Sequence, residues 1–175
     1  MIEPNWSICR GVRAMDALDV ALIQALREHP RAGDLELSRR TKVARATVQS
    51  RLAKMEAAGI ITGYGPDIDL AAAGHPVQAF VTLEIAQGRL EVVAEELESL
   101  PNVLEAYVTS GQADVVCKIA ATSHEDLQET LLHISKSGSV VRSTSVIVLS
   151  ELVHPRVLPM LARDAKAAGR APAYR

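Results

Sequence analysis

Six basic residues and no acidic residue occupy the sixteen positions from Arg39 to Lys54, and this is the clearest chemical signal in the chain. The basic residues are Arg39, Arg40, Lys42, Arg45, Arg51 and Lys54. The whole chain has a net charge of −2, so the positive excess is local. Such a surface is typical of a site for a polyanion, and double-stranded DNA is the first partner to consider.

Three short helices are predicted to position these residues. The first begins near Asp16, a suitable N-cap, and ends at His29-Pro30 because a residue before proline avoids the helical region. A second helix, capped by Asp34, runs to Arg40. A turn at 41–43 leads to a third helix whose inward positions are Ala44, Val48, Leu52 and Met55.

Gly59 is a natural left-handed stop for the third helix. The residues from Ile60 to Tyr64 then predict a strand that opens a hairpin, and this wing is expected to follow the DNA backbone. Three helices and a strand make a winged helix-turn-helix.

The second half of the chain predicts a different fold. Strands are expected at 77–85, 103–109, 115–120 and 140–149, because apolar residues alternate there. Helical stripes lie between the first two strands and between the last two, and Ser123 with Asp126 resembles a capping box. The order β-α-β-β-α-β is ferredoxin-like, so the chain is assigned to the α+β class.

These elements divide the chain into five segments. They are a flexible extension at 1–14, a winged helix-turn-helix at 15–66, a linker at 67–76, a ferredoxin-like domain at 77–152 and a basic tail at 153–175. Met15 directly precedes the first helix, so translation from Met15 is an alternative to Met1. The tail is expected to be solvated, although contact with DNA or a neighbouring subunit is an alternative.

Two helices cover only one face of a four-stranded sheet, yet both faces of this sheet are apolar. An uncovered apolar face of that size is rare in monomers. A homodimer is therefore predicted, with the tail from Glu151 onward folding back over the face as the alternative.

Composition excludes several classes of protein. Aromatic residues make up 3% of the chain, which disfavours a binder that stacks single-stranded bases. Cys9 and Cys117 are too few for a metal cluster or a disulfide framework, and His124 and His133 have no partners at metal-ligand spacing. No apolar run is long enough to cross a bilayer, and residues 1–14 do not form a signal peptide. We expect a cytoplasmic, nucleoid-associated protein without a metal.

The chain resembles the leucine-responsive/asparagine-operon regulator (Lrp/AsnC) family of bacteria and archaea from about Met15 to Leu152. The motifs that carry the resemblance are Leu18-Asp19, Thr47-Val48 with Arg51-Leu52, the helix exit from Glu56 through Gly59 to Ile61, Gly63-Tyr64, and Gly111-Gln112-Ala113-Asp114. Three positions depart from the family pattern. Lys42 replaces a turn glycine, Ala44 replaces a capping serine, and Ser38 replaces an alanine. Lys42 is therefore expected to adopt a strained left-handed conformation.

The candidate DNA-contacting residues of the second helix, the turn and the third helix divide into base-reading and phosphate-binding sets. Arg45 suits guanine and Gln49 suits adenine, and Ser50 lies beside them. The phosphate candidates are Arg39, Lys42, Thr47, Arg51 and Lys54. An ion pair between Arg51 and a carboxylate such as Glu36, supporting the fold, is an equal alternative.

A dimer would place two reading helices about 34 Å apart over a pseudo-palindrome. About four phosphate contacts per subunit would give a slope near −7 when the logarithm of the binding constant is plotted against that of the salt concentration.

The resemblance implies a small-molecule site at the turn Gly111-Gln112-Ala113-Asp114, which in the family lines a cleft between dimers and often binds an amino acid. A carboxylate such as Asp114 suits an amino group, and Thr109, Ser143 and Ser145 are candidate hydroxyls for a carboxylate. The family commonly has threonines at the positions of Ser143 and Ser145, and an aromatic residue at the position of Ala113. The alternative is an ordinary hairpin turn, because glycine and aspartate favour turns.

The leading hypothesis is a DNA-binding transcriptional regulator whose dimers assemble further, as a tetramer of dimers, and respond to an amino-acid effector. An architectural DNA binder of the nucleoid type, without an effector, is the alternative. Some haem-pathway decarboxylases resemble the same architecture, but the acidic second domain lacks a basic pocket for an anionic tetrapyrrole, and no phosphate loop, nucleophile elbow or metal spacing occurs. We therefore expect a protein that is not an enzyme and that needs no cofactor beyond its effector.

Overall fold

The computed structural model describes residues 15–167, which form two compact units. The helical unit comprises residues 15–67 and 154–167, and the sheet unit comprises residues 68–153. The predicted extension at 1–14 and the end of the tail at 168–175 lie outside the described residues. Among residues 15–167, no helix combines the length and the hydropathy that a membrane span requires.

The helical unit begins with three helices, α1 (Ala17–Glu28), α2 (Asp34–Thr41) and α3 (Arg45–Ala57). They share one apolar core whose best-buried members are Leu22, Leu37, Val48 and Met55, each at most 1% exposed. Ala44 is exposed as the N-cap of α3, so only three of the four predicted inward positions point inward. The predicted helix-turn-helix is confirmed.

The start of α1 is fixed by a reciprocal cap. Asp16 Oδ1 accepts hydrogen bonds from the backbone N–H groups of Leu18 and Asp19, both at 3.0 Å, and Asp19 Oδ2 accepts from the N–H of Asp16. The predicted cap of α2 is wrong, since Gly33 is its N-cap and Asp34 is its first residue. Asp34 is thereby left to interact elsewhere.

The predicted wing strand is not formed, because its first backbone donors serve α3. Gly59 adopts the expected left-handed conformation (φ 69°) and donates its N–H to the carbonyl of Glu56. The N–H groups of Ile60 and Ile61 both donate to the carbonyl of Met55, at 2.8 and 3.3 Å. This Schellman-type ending caps α3, and residues 60–76 form neither helix nor strand.

The sheet unit has the predicted β-α-β-β-α-β order. Its elements are β1 (Val77–Ile85), α4 (Leu90–Ser99), β2 (Val103–Val108), β3 (Val115–Ala121), α5 (His124–Lys136) and β4 (Val140–Ile147). The strand order is β2-β3-β1-β4, and every neighbouring pair is antiparallel. Together with the helix-turn-helix, this confirms the α+β class.

One face of the sheet is covered by α4 and α5. Ala79, Val81 and Leu83 of β1 and Cys117 and Ile119 of β3 are fully buried in the core on this face. Burial raises the pKa of the Cys117 thiol to about 11, which suits a packed core residue and not a reactive one.

The opposite face, here called the open face, carries exposed apolar side chains. Phe80 on β1 lies beside Val146 on β4, and Tyr107 lies on β2 at the other side of β3. Their exposed fractions are 47% for Phe80, 63% for Val146 and 59% for Tyr107. This is the uncovered apolar surface that the two-helix topology predicts.

A further helix, α6 (Leu158–Ala167), occupies much of the segment that was expected to be a solvated tail. It belongs to the helical unit and packs against α1. Ala165 on α6 is 3% exposed, and Leu158 and Leu161 are partly buried on the same stripe. The charges of the tail conceal this apolar stripe in the sequence.

Ala165→Glu is expected to detach α6 and to destabilise the helical unit by about 1–3 kcal/mol, because a carboxylate would be buried without a partner. Native-state hydrogen exchange of α1 peptides measures the effect, and exchange should become faster. Arg163→Glu places the same residue at an exposed position of α6 and is the control. Equal exchange in the two variants would contradict the packing of α6 on α1.

Candidate nucleic-acid interface and effector turn

The recognition helix α3 presents a polar outer surface because Val48 and Met55 anchor its inner side. Arg45, Gln49, Ser50 and Lys54 are exposed, and Thr47 is partly buried near the helix start. Arg39 on α2 and Lys42 in the turn are also exposed. Apart from Arg51, the structure therefore brings the predicted DNA-binding residues to the accessible surface of α2, the turn and α3.

The turn between α2 and α3 is held by local hydrogen bonds. Lys42 has φ 56° and ψ 39°, so the expected left-handed conformation is confirmed, at a cost of about 1 kcal/mol for a residue with a Cβ. The Ser38 hydroxyl donates to the carbonyl of Val43 at 2.6 Å, a bond that an alanine would not make. Ala44 provides no side-chain cap for α3, as its departure from the family pattern predicts.

Arg51 is directed toward α1 and not toward solvent. Its Nη1 donates to Asp16 Oδ2 at 2.6 Å and to Asp19 Oδ1 at 3.0 Å, and Asp19 is only 2% exposed. The expected alternative partner, Glu36, instead pairs with Arg40 at 2.8 Å. An ion pair that supports the fold is thus present at Arg51, but its partners are the two carboxylates of the α1 cap.

The same ion pair perturbs the titration of its members. Partial burial raises the pKa of Asp16, but hydrogen bonds from the Asp19 N–H and from Arg51 outweigh it, so the pKa is lowered overall. The hydrogen bond to Asp16 raises the pKa of Arg51, opposed by its partial burial. Both groups are therefore held in their charged forms.

Two further contacts on α3 are invisible in the sequence pattern. Gln49 Nε2 donates to Asp34 Oδ2 at 2.6 Å, and Arg45 Nε lies 3.9 Å from the same oxygen. The hydroxyl of Tyr64, from the expected wing, donates to Glu56 of α3, and burial together with this bond raises the pKa of Tyr64 to about 12. The segment after α3 is thus tied to the recognition helix.

The proposed effector turn joins β2 and β3 and is held by one side-chain hydrogen bond within the turn and one to β1. The Thr109 hydroxyl donates to the carbonyl of Ala113 at 2.7 Å, and Asp114 Oδ2 accepts from the N–H of Ile85 at 2.7 Å. Gly111 and Gln112 are exposed at the tip, and Ala113 is partly buried. These bonds give Thr109 and Asp114 a structural role of the kind that ordinary turn residues have.

Ser143 and Ser145 lie on β4, on the other side of β1 from this turn. Ser143 pairs with Leu83 and Ser145 pairs with Val81, while Leu83 also pairs with Val115 at the end of the turn. Ser143 therefore lies about 10 Å across the sheet from the turn, and Ser145 lies about 7 Å further along the strand. Within residues 15–167, no three His, Cys, Asp or Glu side chains are placed to hold a metal ion.

Both halves of the chain match known domain models. Residues 15–56 match the AsnC-type helix-turn-helix domain, and residues 78–158 match the Lrp/AsnC ligand binding domain. The HTH-type transcriptional regulator FL11 of Pyrococcus horikoshii is 30% identical over 146 residues, which cover 83% of this chain and 97% of that protein. Helix α6 begins where the second match ends.

Solved structures with the same arrangement include two regulators. The structure of Escherichia coli AsnC has a TM-score of 0.77 at 29% identity, covering 84% of this chain and 100% of that one. The transcriptional regulator NMB0573 from Neisseria meningitidis, solved as a complex with L-Met, has a TM-score of 0.74 at 25% identity and covers 80% of this chain and 93% of that one.

Asp16→Asn is expected to lower the free energy of unfolding by about 1–2 kcal/mol at pH 7, because asparagine keeps the cap but loses the charge that pairs with Arg51. Since the folded pKa of Asp16 lies below its ordinary value of 3.8, the wild-type advantage should be complete above that pH and should vanish as the pH falls through the folded value.

Urea denaturation followed by circular dichroism at a series of pH values measures this difference. Asp67→Asn is the control, because Asp67 also pairs with an arginine, Arg27, but its own side chain is 99% exposed. A difference from wild type that stays constant down to pH 2 would contradict the charge pairing.

Proposed function

The chain belongs to the Lrp/AsnC family of transcriptional regulators, and from this premise we propose that it regulates transcription as a homodimer that binds a pseudo-palindromic DNA site and responds to an amino-acid effector. The observation that carries this proposal is the basic, exposed outer surface of a recognition helix whose inner side is anchored in a helix-turn-helix core. Its place of action is the nucleoid of the cytoplasm, and its role is binding and not catalysis.

The DNA contacts follow from the exposed side chains. Arg45 and Gln49 read base edges in the major groove, with Ser50 beside them. Arg39, Lys42 and Lys54 bind phosphates by charge, and Thr47 adds a hydroxyl at the helix start. Arg51 is left out of this set as a direct contact, because both of its carboxylate partners belong to α1.

The open face supports the assembly. Phe80, Tyr107 and Val146 expose apolar side chains on one face of the sheet, and a second copy would cover them with the same residues, as a two-fold interface requires. Such a dimer doubles the number of recognition helices and sets the spacing of two half-sites. Dimers associate further into a tetramer of dimers, in which the effector turns of neighbouring dimers meet.

Within one subunit the effector site is limited to the turn. Asp114 offers its Oδ1 to an α-amino group while Oδ2 remains on Ile85, and the Thr109 hydroxyl binds a carboxylate after releasing the carbonyl of Ala113. Ser143 and Ser145 of the same subunit lie too far across β1 to bind that carboxylate. Gly111, Gln112 and Ala113 supply backbone N–H groups and a small side chain at the tip. The L-Met complex of the Neisseria meningitidis regulator supports an amino acid as the class of ligand.

Fluorescence anisotropy with DNA from upstream of the protein's own gene tests the proposal. The logarithm of the binding constant should fall with the logarithm of the salt concentration with a slope of about −5, because Arg39, Lys42 and Lys54 give six phosphate-binding cations per dimer. A slope near −7 would instead indicate that Arg51 also binds a phosphate. Arg45→Ala should weaken binding about tenfold and relax one base position. Arg89→Ala, an exposed arginine of the sheet unit, is the charge-matched control.

A pool of amino acids that includes L-methionine is then added to the same complex. A shift in affinity or in complex size supports the effector assignment. Binding that ignores both sequence and amino acids would point to an architectural DNA binder, and the absence of binding at low salt would contradict the proposal.

Phe80→Glu is expected to dissociate the dimer, because it would place two carboxylates in an apolar interface. Sedimentation equilibrium measures the change, and the dimer dissociation constant should rise at least about a hundredfold. Leu132→Glu is matched in exposure, at 48%, but lies on α5. A dimer unaffected by Phe80→Glu would show that the open face is not the interface.

A further inference from the structure

The carboxylate of Asp34 holds the two side chains that are proposed to read DNA bases. Asp34 is the first residue of α2, and its Oδ2 accepts the Gln49 Nε2 hydrogen bond at 2.6 Å while the Arg45 Nε lies 3.9 Å away. Its side chain is 31% exposed and that of Arg45 is 62% exposed, so both contacts lie at the surface. The fold thus brings an acid to a surface whose sequence segment contains none.

Gln49 cannot keep this bond and read adenine. A glutamine reads adenine through two hydrogen bonds, of which Nε2 donates to N7 and Oε1 accepts from N6. Nε2 is the same atom that donates to Asp34. DNA must therefore compete with a charged acceptor for this amide.

Arg45, unlike Gln49, can read a base without leaving Asp34. A bidentate contact with guanine needs two guanidinium N–H groups, while the atom nearest Asp34 is Nε. Arg45 can therefore read guanine through its terminal nitrogens with Asp34 still behind it. The carboxylate thus competes with DNA for Gln49 but not for Arg45.

We propose that Asp34 is a specificity-determining residue for DNA binding, an inference that rests on the proposed function. On unrelated DNA Gln49 keeps its bond to Asp34 and loses nothing. At the cognate site that bond must break before Gln49 can read adenine, so its loss offsets part of the new contact. Asp34 thus weakens specific binding more than non-specific binding, while its repulsion of phosphates acts on both.

Asp34→Asn removes the charge while keeping the size of the side chain. Affinity for a duplex selected by the wild type from a random pool is expected to rise about 3- to 10-fold, and affinity for a scrambled duplex should rise less, so that the ratio of the two affinities rises. Glu36→Gln is the matched control, because it removes one charge from the same helix and releases Arg40 instead. Asp34→Ser serves as a second variant if asparagine alters folding, which thermal melts report.

A double-mutant cycle with Gln49→Ala tests whether Asp34 acts through Gln49. If Asp34 acts through Gln49, Asp34→Asn should change the ratio markedly less in the Gln49→Ala background. Equal ratios for Asp34→Asn and Glu36→Gln would overturn the inference and leave only a general charge effect. Failure of the wild type to bind any duplex at low salt would instead overturn the proposed function, so the two failures are distinguishable.

Discussion

The ion pair between Arg51 and the cap of α1 is the constraint on which the DNA-binding surface depends. Asp19 is 2% exposed, and a buried carboxylate is stable only when it is paired and hydrogen-bonded. Arg51 satisfies that requirement from the middle of α3, so the start of α1 and the recognition helix are fixed to each other. The outward direction of Arg45 and Gln49 follows from this attachment and from the burial of Val48 and Met55.

Local patterns predicted most of the fold. Alternation gave the four strands, apolar stripes gave the five helices of the two domains, and single residues such as Pro30 and Gly59 marked the ends of helices. The errors have long-range or competing causes. The carboxylates that bind Arg51 lie 32 and 35 positions away, so periodicity could not identify them. The wing strand failed because the N–H groups of Ile60 and Ile61 complete α3.

In the candidate sites, too, the sequence predicts suitable residue types but not the contacts that the fold gives them. The sequence identifies which side chains suit DNA or an amino acid, but not which of them the fold already uses. The Thr109 hydroxyl closes its own turn, the Asp114 carboxylate accepts from Ile85 of β1, and the Gln49 amide is bound by a carboxylate from another helix. A surface residue is available to a ligand only to the extent that a new bond compensates for the one it gives up.

The helical unit is assembled from both ends of the described chain, with α6 returning to pack on α1 after the whole sheet unit. In a nascent chain, α1 to α3 emerge before the sheet unit and lack this helix until residues 158–167 have been made. Domains generally fold as they emerge, so the sheet unit is able to fold before the unit that precedes it is finished. Completion of the DNA-binding unit is thereby tied to translation of the segment that follows the whole sheet unit.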